Sequence, residues 1–269
     1  MIGWDAQHEV TLDRPTRVGW LWVILRFIPC VLIIITLMVP LALLRAVGLW
    51  RAGQLVVRFA CWMCLKFIGI PLFIKGLPMK HAGVVVANHS SWLDILTLNA
   101  CQKVFFVAKS EVRQWPAIGT MARVVGTVFI NRKRGDAKIQ HDLFLDHTNK
   151  GHKLLFFPEG TSTDGCHVLR FRSSLFQAFF APDLADLMWV QPVTVLYHAP
   201  KGKRADYYGY WGEMEMLDHM IHVLSHPKQG HVEVVFHTPL KIVDFPDRKA
   251  LANAAYESVA GGMPNRLPN

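Results

Sequence analysis

Apolar residues dominate the first quarter of the chain. Residues 27–44 hold 18 consecutive positions without a charge, and as a helix they would extend ~27 Å against a hydrocarbon core of roughly 30 Å. Pro29 and Pro40 lie inside this run, so a kinked or re-entrant helix fits the pattern nearly as well as a spanning one. Three acidic residues before position 14, and the lack of a small-residue cleavage site, disfavour a cleaved signal peptide.

A second apolar stretch, residues 55–74, carries Arg58 and Lys66 among aromatic side chains. This composition is typical of a helix lying in the membrane interface. Six lysines or arginines and no acid lie between Arg45 and Lys80, which places the C-terminal side in the cytoplasm if the first segment spans. We expect an N-terminal tail at 1–17, a membrane-associated helical pair at 18–75 and a folded domain at 76–269. The alternative is a hydrophobic helical hairpin packed on that domain.

From about residue 82 the pattern changes to short β-branched and aromatic runs separated by helical stretches. The predicted strands are 84–87, 104–108, 127–130, 153–157, 189–196 and 232–237. The predicted helices are 92–99, 116–125, 137–149, 173–180 and 248–259. Strands that alternate with helices predict an α/β fold, a sheet flanked by helices on both faces. In such sheets polar chemistry collects where strands end.

Composition narrows the class of protein. Hydrophobic residues make up 52% and charged residues 18%, which excludes intrinsic disorder. The apolar excess lies before residue 76, which disfavours a polytopic transporter. A net charge of +9 favours anionic partners. Five scattered cysteines do not form a disulfide framework, and the Cys61/Cys64 pair has apolar neighbours, so we expect a buried structural role in a reducing, cytosol-facing domain.

The first predicted strand ends in the phrase Asn-His-Ser-Ser-Trp-Leu-Asp, residues 88–94. Ser91 and Asp94 have capping-box spacing, which holds the carboxylate where it can reach one nitrogen of His89 and leave the other to accept a proton. This pair suits a reaction in which the substrate's own hydroxyl is the nucleophile. The alternatives are a plain helix cap, a metal site without a third ligand, and a serine hydrolase without G-x-S-x-G.

Two further strand ends carry polar residues. After the third strand come Asn131, Arg132, Lys133 and Arg134, which can hold a phosphate or form a solvated basic turn; nucleic acid is disfavoured because aromatic residues do not interleave. The fourth strand ends in Phe-Pro-Glu-Gly-Thr-Ser, residues 157–162. A turn of this kind can make an anion-binding concavity, with Glu159 on acceptor hydroxyls or on Arg132.

Together these blocks resemble the 1-acyl-sn-glycerol-3-phosphate (lysophosphatidate) acyltransferases of bacterial type. The family's N-H-x-x-x-x-D block is residues 88–94, its F-I-[DN]-R block 129–132, its F-P-E-G-T-[RS] block 157–162 and its V-x-P-V block 190–193. All four occur in family order, over roughly residues 80–240. The resemblance implies the fold of the glycerolipid acyltransferases, a mixed sheet flanked by helices, with a membrane-associated helical pair and a catalytic domain at 76–269.

The resemblance also implies roles for individual residues. His89 would be the general base and Asp94 its orienting carboxylate, with direct attack on acyl-CoA or acyl carrier protein and no acyl-enzyme. Backbone N–H groups near Gly160 would stabilise the oxyanion. The implied substrate-binding residues are Lys109, Asn131, Arg132, Glu159, Gly160, Thr161, Ser162 and Pro192. No cofactor, metal or nucleic acid is expected. The implied location is the inner membrane, facing the cytosol.

Two departures bear on the acceptor. Residues 166–174 replace the more frequent F-K-x-G pattern, and the aromatic stretch 207–212 is longer than the family pattern needs. The aromatic stretch resembles a branch that includes lyso-ornithine lipid acyltransferases, whose zwitterionic head group could use Glu213 or Glu215. The main prediction is acylation of lysophosphatidate to phosphatidic acid, and the alternative is lyso-ornithine lipid. A non-catalytic lipid-binding protein and a lipid hydrolase are the competing classes.

Overall fold

The computed structural model describes residues 12–115, 118–130 and 137–264. The helices are α1 (Arg17–Ala46), α2 (Trp50–Ile68), α3 (Leu93–Cys101), α4 (Ile118–Val124), α5 (Ala137–Asn149), α6 (Pro182–Ala185), α7 (Met216–Ser225) and α8 (Arg248–Gly261). The strands are β1 (Leu72–Lys75), β2 (Gly83–Ala87), β3 (Phe105–Lys109), β4 (Val128–Ile130), β5 (Lys153–Phe156), β6 (Trp189–His198), β7 (His231–Phe236) and β8 (Leu240–Lys241). Short 3₁₀ segments cover Ser110–Gln114, Ser173–Phe180 and Ile242–Asp244.

The strands form one mixed sheet in the order β1-β7-β6-β2-β5-β3-β4, with β8 on β6. Strands β6, β2, β5, β3 and β4 are parallel, whereas β7 runs antiparallel to β6. Parallel strands end at the same edge, so the polar phrases that follow β2 and β5 leave the sheet on one side. The predicted mixed α/β sheet flanked by helices is confirmed.

Strand β2 is the centre of the fold because its side chains are fully buried on both faces. Val84 and Val86 pack in the core beneath α5 and α8, while Val85 and Ala87 pack in the core beneath α2 and α3. This alternation follows from the period of two along a strand. A strand covered on both faces requires a continuous apolar run. The run ends at Ala87, so Asn88 lies at the carboxyl edge of the sheet.

The second apolar stretch does not continue as a helix to residue 74, as the sequence predicted. Helix α2 ends at Ile68, where Gly69 adopts a left-handed conformation with φ of 88°, and Pro71 follows. Glycine in this conformation and a nearby proline end a helix. The remaining apolar residues form β1, which pairs in parallel with β7. The last residues of the predicted membrane segment therefore belong to the sheet of the folded domain.

Other predicted elements differ in detail. The predicted helix at 173–180 is a 3₁₀ segment, and helix α7 and strand β8 were not predicted. Of the predicted helix 116–125, the structure describes α4. All five cysteines are free. Cys61 and Cys64 are buried on the inner face of α2, as expected for packing residues.

Helix α1 leaves a long apolar face uncovered. The helix is long and apolar enough to cross a membrane, and 6% of its most apolar window is buried inside the structure. Its outward stripe consists of Val18, Leu21, Leu25, Ile28, Leu32, Ile35, Val39 and Leu43. An apolar surface of this extent marks a membrane-contacting element. The chain is therefore membrane-associated.

Two arginines of α1 bind the folded domain. The Arg26 guanidinium is buried and donates to the carbonyls of Leu224 at 2.8 Å and Pro227 at 2.9 Å, and also to that of His226. At the other end, Arg45 Nη2 donates to the carbonyl of Val125 at 2.6 Å. Both contacts are to the same domain, so α1 lies along its surface. The helix is thus fixed to the domain through polar side chains, while its apolar stripe stays uncovered.

Candidate active site

Asn88 ties the end of β2 to β6. Its Oδ1 accepts from the Val195 N–H at 2.8 Å, and its Nδ2 donates to the Val195 carbonyl at 2.9 Å. The side chain is fully buried and also donates to the Ser90 hydroxyl at 3.2 Å. A side chain thus replaces one step of backbone pairing, which lets the main chain turn out of the sheet at His89. The sequence placed Asn88 in the motif but assigned it no role.

His89 and Asp94 form the predicted pair. His89 Nδ1 lies 2.7 Å from Asp94 Oδ2, and the same oxygen accepts from the Ser90 N–H at 2.7 Å and the Ser91 N–H at 3.0 Å. Because a carboxylate oxygen can only accept, Nδ1 of His89 carries the hydrogen and donates it to Asp94. Nε2 therefore has the free lone pair that can take a proton. Asp94 is fully buried, whereas a quarter of the His89 side chain is exposed. A substrate hydroxyl can therefore reach the imidazole.

The predicted capping box is half formed. The Asp94 carboxylate accepts from the Ser91 N–H, but the Ser91 hydroxyl is buried without a hydrogen-bond partner among the described residues. Helix α3 begins one residue later than the box predicts, with Trp92 at the N-cap. The Asp94 carboxylate thus binds residues 89–91, and helix capping is its secondary role.

The plane of the His89 ring is set by Phe157. The two rings stack with centroids 4.0 Å apart and an angle of 8° between their planes. The Phe106 ring packs against the Phe157 ring, with their centroids 5.9 Å apart. The His89 ring is thus held by a hydrogen bond at its edge and by stacking on its face. Because the ring is already oriented, less conformational entropy is lost when it acts as a base.

Glu159 joins the two motif loops from inside. Its Oε1 accepts from the His89 N–H at 2.6 Å and its Oε2 from the Leu169 N–H at 2.8 Å. The residue is 2% exposed, and both oxygens accept from backbone N–H groups; the suggested contact with Arg132 lies outside the described residues. Burial raises the pKa of Glu159 to about 8, with the two amide donors acting in the opposite direction. Glu159 thus links the backbone at His89 to that at Leu169.

Gly160 adopts a left-handed conformation with φ of +81°, and a Cβ there would lie 2.8 Å from Nε of Arg172. Glycine is therefore required both by the backbone conformation and by the close approach of the guanidinium. Arg172 is an exposed cation at the mouth of the motif loop, beside the half-buried Thr161 and Ser162. Arg172 is not among the residues that the sequence motifs predict for the site.

The loop after the motif wraps around the histidine. The Thr163 N–H donates to the His89 carbonyl at 2.9 Å. Asp164 then repeats the arrangement of Asp94, since its carboxylate lies 2.7 Å from His167 Nδ1 and accepts from the backbone N–H groups of His167 and Cys166. These hydrogen bonds stabilise the loop that connects Glu159 to Arg172.

The aromatic stretch forms a wall beside the histidine loop. The Tyr210 N–H donates to the Ser90 carbonyl at 2.8 Å, and the hydroxyl of Tyr207 donates to the carbonyl of His222 on α7 at 3.0 Å. Trp92 of the histidine motif donates to His219 Nδ1 at 3.0 Å, and burial lowers the pKa of His219 to about 4. These contacts make the stretch a support of the site.

Similarity to known proteins identifies the family. The sequence model of the Acyltransferase family matches residues 73–195. The chain is 52% identical, over 77% of its length and 75% of the relative's, to a lyso-ornithine lipid O-acyltransferase of Rhodobacter capsulatus. This chain belongs to the acyltransferase family. A lyso-ornithine lipid O-acyltransferase of Brucella abortus is 36% identical to the acyltransferase over 72% of this chain and 77% of that one.

The lysophosphatidate branch is also represented. A 1-acyl-sn-glycerol-3-phosphate acyltransferase of Neisseria gonorrhoeae is 32% identical to this acyltransferase over 68% of this chain and 70% of the relative. The fold is similar to the crystal structure of the 1-acyl-sn-glycerophosphate acyltransferase of Thermotoga maritima, with a TM-score of 0.67, 18% identity and coverage of 93% and 98% of the two chains. The predicted membership of the lysophosphatidate acyltransferase family is confirmed.

The remaining predicted site residues lie as follows in the acyltransferase. Lys109 ends β3 opposite Ile130, the last residue of β4. Asn131 and Arg132 come directly after β4 and lie outside the described residues. Pro192 is buried within β6 opposite Val86. Their contacts with substrate stay predictions. Among the described residues, no three His, Cys, Asp or Glu side chains are grouped as a metal site would need.

The pKa of Glu159 gives a testable pH dependence of stability. Its folded-state value of about 8 lies above the ordinary 4.5, so the folded protein binds more protons than the unfolded chain between those values, and stability falls as pH rises through that window. We expect the melting temperature of the wild type to decline from about pH 5 to about pH 8 more steeply than that of Glu159→Gln. The exposed Glu111→Gln is the control and should keep the wild-type slope. Parallel curves for the wild type and Glu159→Gln would contradict the assignment.

Proposed function

We propose that this acyltransferase transfers a fatty acyl group from acyl-CoA or acyl carrier protein to the hydroxyl of a lyso-ornithine lipid. The observation that carries the acceptor is the similarity to the Rhodobacter capsulatus enzyme, which is much higher in identity than that to the Neisseria gonorrhoeae enzyme. The sequence motifs predict lysophosphatidate as the main acceptor and lyso-ornithine lipid as the alternative. The comparison supports the alternative.

The His89–Asp94 pair supplies the chemistry. Nε2 of His89 takes the proton of the acceptor hydroxyl as its oxygen attacks the thioester carbonyl. The C–O bond forms, the carbonyl becomes a tetrahedral oxyanion, and the C–S bond then breaks as the thiolate leaves. The imidazolium returns its proton to that thiolate, so His89 ends neutral. Asp94 stabilises the imidazolium through Nδ1.

Direct transfer without an acyl-enzyme is supported by the neighbouring hydroxyls. Ser90 and Ser91 are both fully buried, and the Ser90 hydroxyl is engaged by Asn88. His89 turns Nδ1 to the carboxylate, so neither serine has the relation to the base that a nucleophilic serine needs. A non-catalytic lipid-binding protein would have no use for a buried carboxylate that orients an accessible imidazole.

An ornithine head group presents a carboxylate and an ammonium. Arg172, against Gly160, is suited to the carboxylate because a guanidinium matches its two oxygens. Beyond the aromatic wall, Glu213 and Glu215 are exposed before α7 and are suited to the ammonium. The site in this proposal is thus bipolar, as a zwitterionic acceptor requires.

Lysophosphatidate is the second candidate because Arg132, Lys133 and Arg134 follow β4 in the sequence and three adjacent cations suit a phosphate. An anionic donor such as CoA or acyl carrier protein offers another use for the same charges. The donors are cytosolic, and the basic segment between Arg45 and Lys80 follows the distribution of charges on cytoplasmic faces. We propose the cytoplasmic face of the inner membrane as the location.

The acceptor is tested with the purified full chain in detergent, offered lyso-ornithine lipid and lysophosphatidate side by side with radiolabelled acyl-CoA and acyl carrier protein. We expect kcat/KM for lyso-ornithine lipid to be higher by at least about tenfold, which corresponds to ~1.4 kcal/mol of discrimination. The inactive variant His89→Ala measures background. A preference for lysophosphatidate would overturn the proposed acceptor, and residues 132–134 would then be assigned to binding its phosphate. Free fatty acid as the main product would indicate a hydrolase.

A further inference from the structure

The outward face of α2 combines aromatic residues with cations. Arg58, Phe59, Trp62, Lys66 and Phe67 are all exposed, while the opposite face of the helix is buried. The helix contains no acidic residue. Aromatic rings and basic side chains side by side are what the interface between lipid chains and head groups favours.

A cavity with a volume of about 220 Å³ opens on this face, between α2, β1 and the end of α3. Its lining consists of Arg58, Trp62, Leu65, Lys66, Ile70, Leu72, Ile74 and Ala100. The lining is therefore apolar apart from two cations, and it includes no acidic side chain. The lining includes no residue of the motifs at 88–94 and 157–162.

Both cations are held in place. Arg58 Nε donates to the Ala100 carbonyl in the last turn of α3 at 3.1 Å, which leaves the other guanidinium nitrogens to face a ligand. The Lys66 ammonium lies 5.5 Å from the centroid of the Trp62 ring. Neither Arg58 nor Lys66 forms an ion pair within the described part of the chain. Two positive charges in one apolar cavity without a carboxylate favour an anionic occupant.

The rim of the cavity is apolar. Phe73, Ile74 and Leu77 are exposed on β1, the edge strand of the sheet, and on the turn that follows it. The charge of the adjacent Lys75 is paired with Glu233 at 2.8 Å. An occupant that neutralises Arg58 and Lys66 and also covers these apolar side chains must be negative at one end and hydrophobic at the other. An anionic phospholipid has both ends, whereas a soluble anion has the negative charge but no hydrophobic part.

We infer that this cavity binds the phosphate head group of an anionic bilayer phospholipid, between Arg58 and Lys66, with its acyl chain along β1. The lipid is a ligand and not a substrate. It fixes α2 and the edge of the sheet at a defined depth in the interface, on the same membrane that the apolar stripe of α1 contacts. The inference does not depend on which acceptor the active site takes.

The test compares two pairs of variants that remove the same charge. Arg58→Gln with Lys66→Gln changes the cavity, whereas Arg51→Gln with Lys80→Gln removes one arginine of α2 and one exposed lysine after β1 that do not line it. The full chain is mixed with phosphatidylcholine vesicles with or without phosphatidylglycerol, and bound protein is measured by flotation. A general attraction of each charge to an anionic surface is about fivefold, which both pairs lose. We expect the cavity pair to lose clearly more of the phosphatidylglycerol-dependent binding than the control pair.

A photoreactive phosphatidylglycerol probe locates the contact. In the wild type we expect crosslinks on α2 and β1 that the cavity pair abolishes and the control pair keeps. Lys66→Gln alone, which leaves the Arg58 contact with α3 intact, should already weaken them. Acyl transfer to acceptor in detergent micelles should stay at the wild-type rate in both pairs, which shows that the variants fold. Equal losses in the two pairs would overturn the site, and displacement of the probe by inorganic phosphate would assign it to a soluble anion.

Discussion

Replacing His89 by alanine lowers the rate of acyl transfer by about 10²–10⁴-fold, the usual contribution of a positioned general base. The effect comes from loss of the Nε2 that takes the hydroxyl proton. The fold should survive, because Asp94 keeps the N–H donors of Ser90 and Ser91, and the removed ring is partly exposed. The measurement is kcat with saturating donor and acceptor, together with the melting temperature.

The matched control for this variant is His141→Ala. His141 is also bonded to a carboxylate, with Nε2 2.9 Å from Asp183 Oδ1, but it lies on α5 and takes no part in the site. Its variant should retain the wild-type rate. If His89→Ala kept more than about a tenth of the wild-type rate, less loss than general base catalysis accounts for, His89 would not be the base.

Asn88→Asp should lower the free energy of unfolding by about 3–5 kcal/mol, as expected when a buried charge is left without a partner. A carboxylate can still accept from the Val195 N–H, but it meets the Val195 carbonyl where the amide now donates. Urea unfolding in detergent micelles measures the loss. The control Asn253→Asp is exposed and faces Arg170, so it should change stability by less than about 0.5 kcal/mol.

Near-wild-type stability of Asn88→Asp would show that the two bonds to Val195 do not hold the end of β2. An intermediate result is informative through activity. If the variant remains folded while transfer falls, the displaced strand end has moved His89, and the loss should appear in kcat more than in KM.

The parts of this molecule that could be predicted from sequence are those set by local pattern. The strand at β2 is an unbroken apolar run, and a residue five positions after His89 is within reach of its ring once a helix starts between them. The partners of Glu159 could not be predicted, because Leu169 lies in an irregular loop whose path depends on tertiary contacts. The same holds for Arg172, whose approach to Gly160 is a contact between two loops.

The boundary between α2 and β1 was missed for a different reason. The residues on both sides are apolar, and hydrophobicity alone does not separate a helix from a short buried or edge strand. Gly69 and Pro71 were the available signals. The docking of α1 was beyond prediction, since Arg26 in an apolar stretch suggests a boundary and its carbonyl partners lie in the chain around α7.

The contacts of Arg26 also imply an order of events during synthesis. Arg26 and its partner Leu224 are 198 residues apart. At 5–20 residues per second the ribosome needs roughly 10–40 s to make the intervening chain. During that interval the apolar stripe of α1 has already emerged, while the surface that will receive its polar side does not yet exist. Arg26 therefore gains its carbonyl partners only after α7 has been made, and the domain completes its folding against a helix that was synthesised long before.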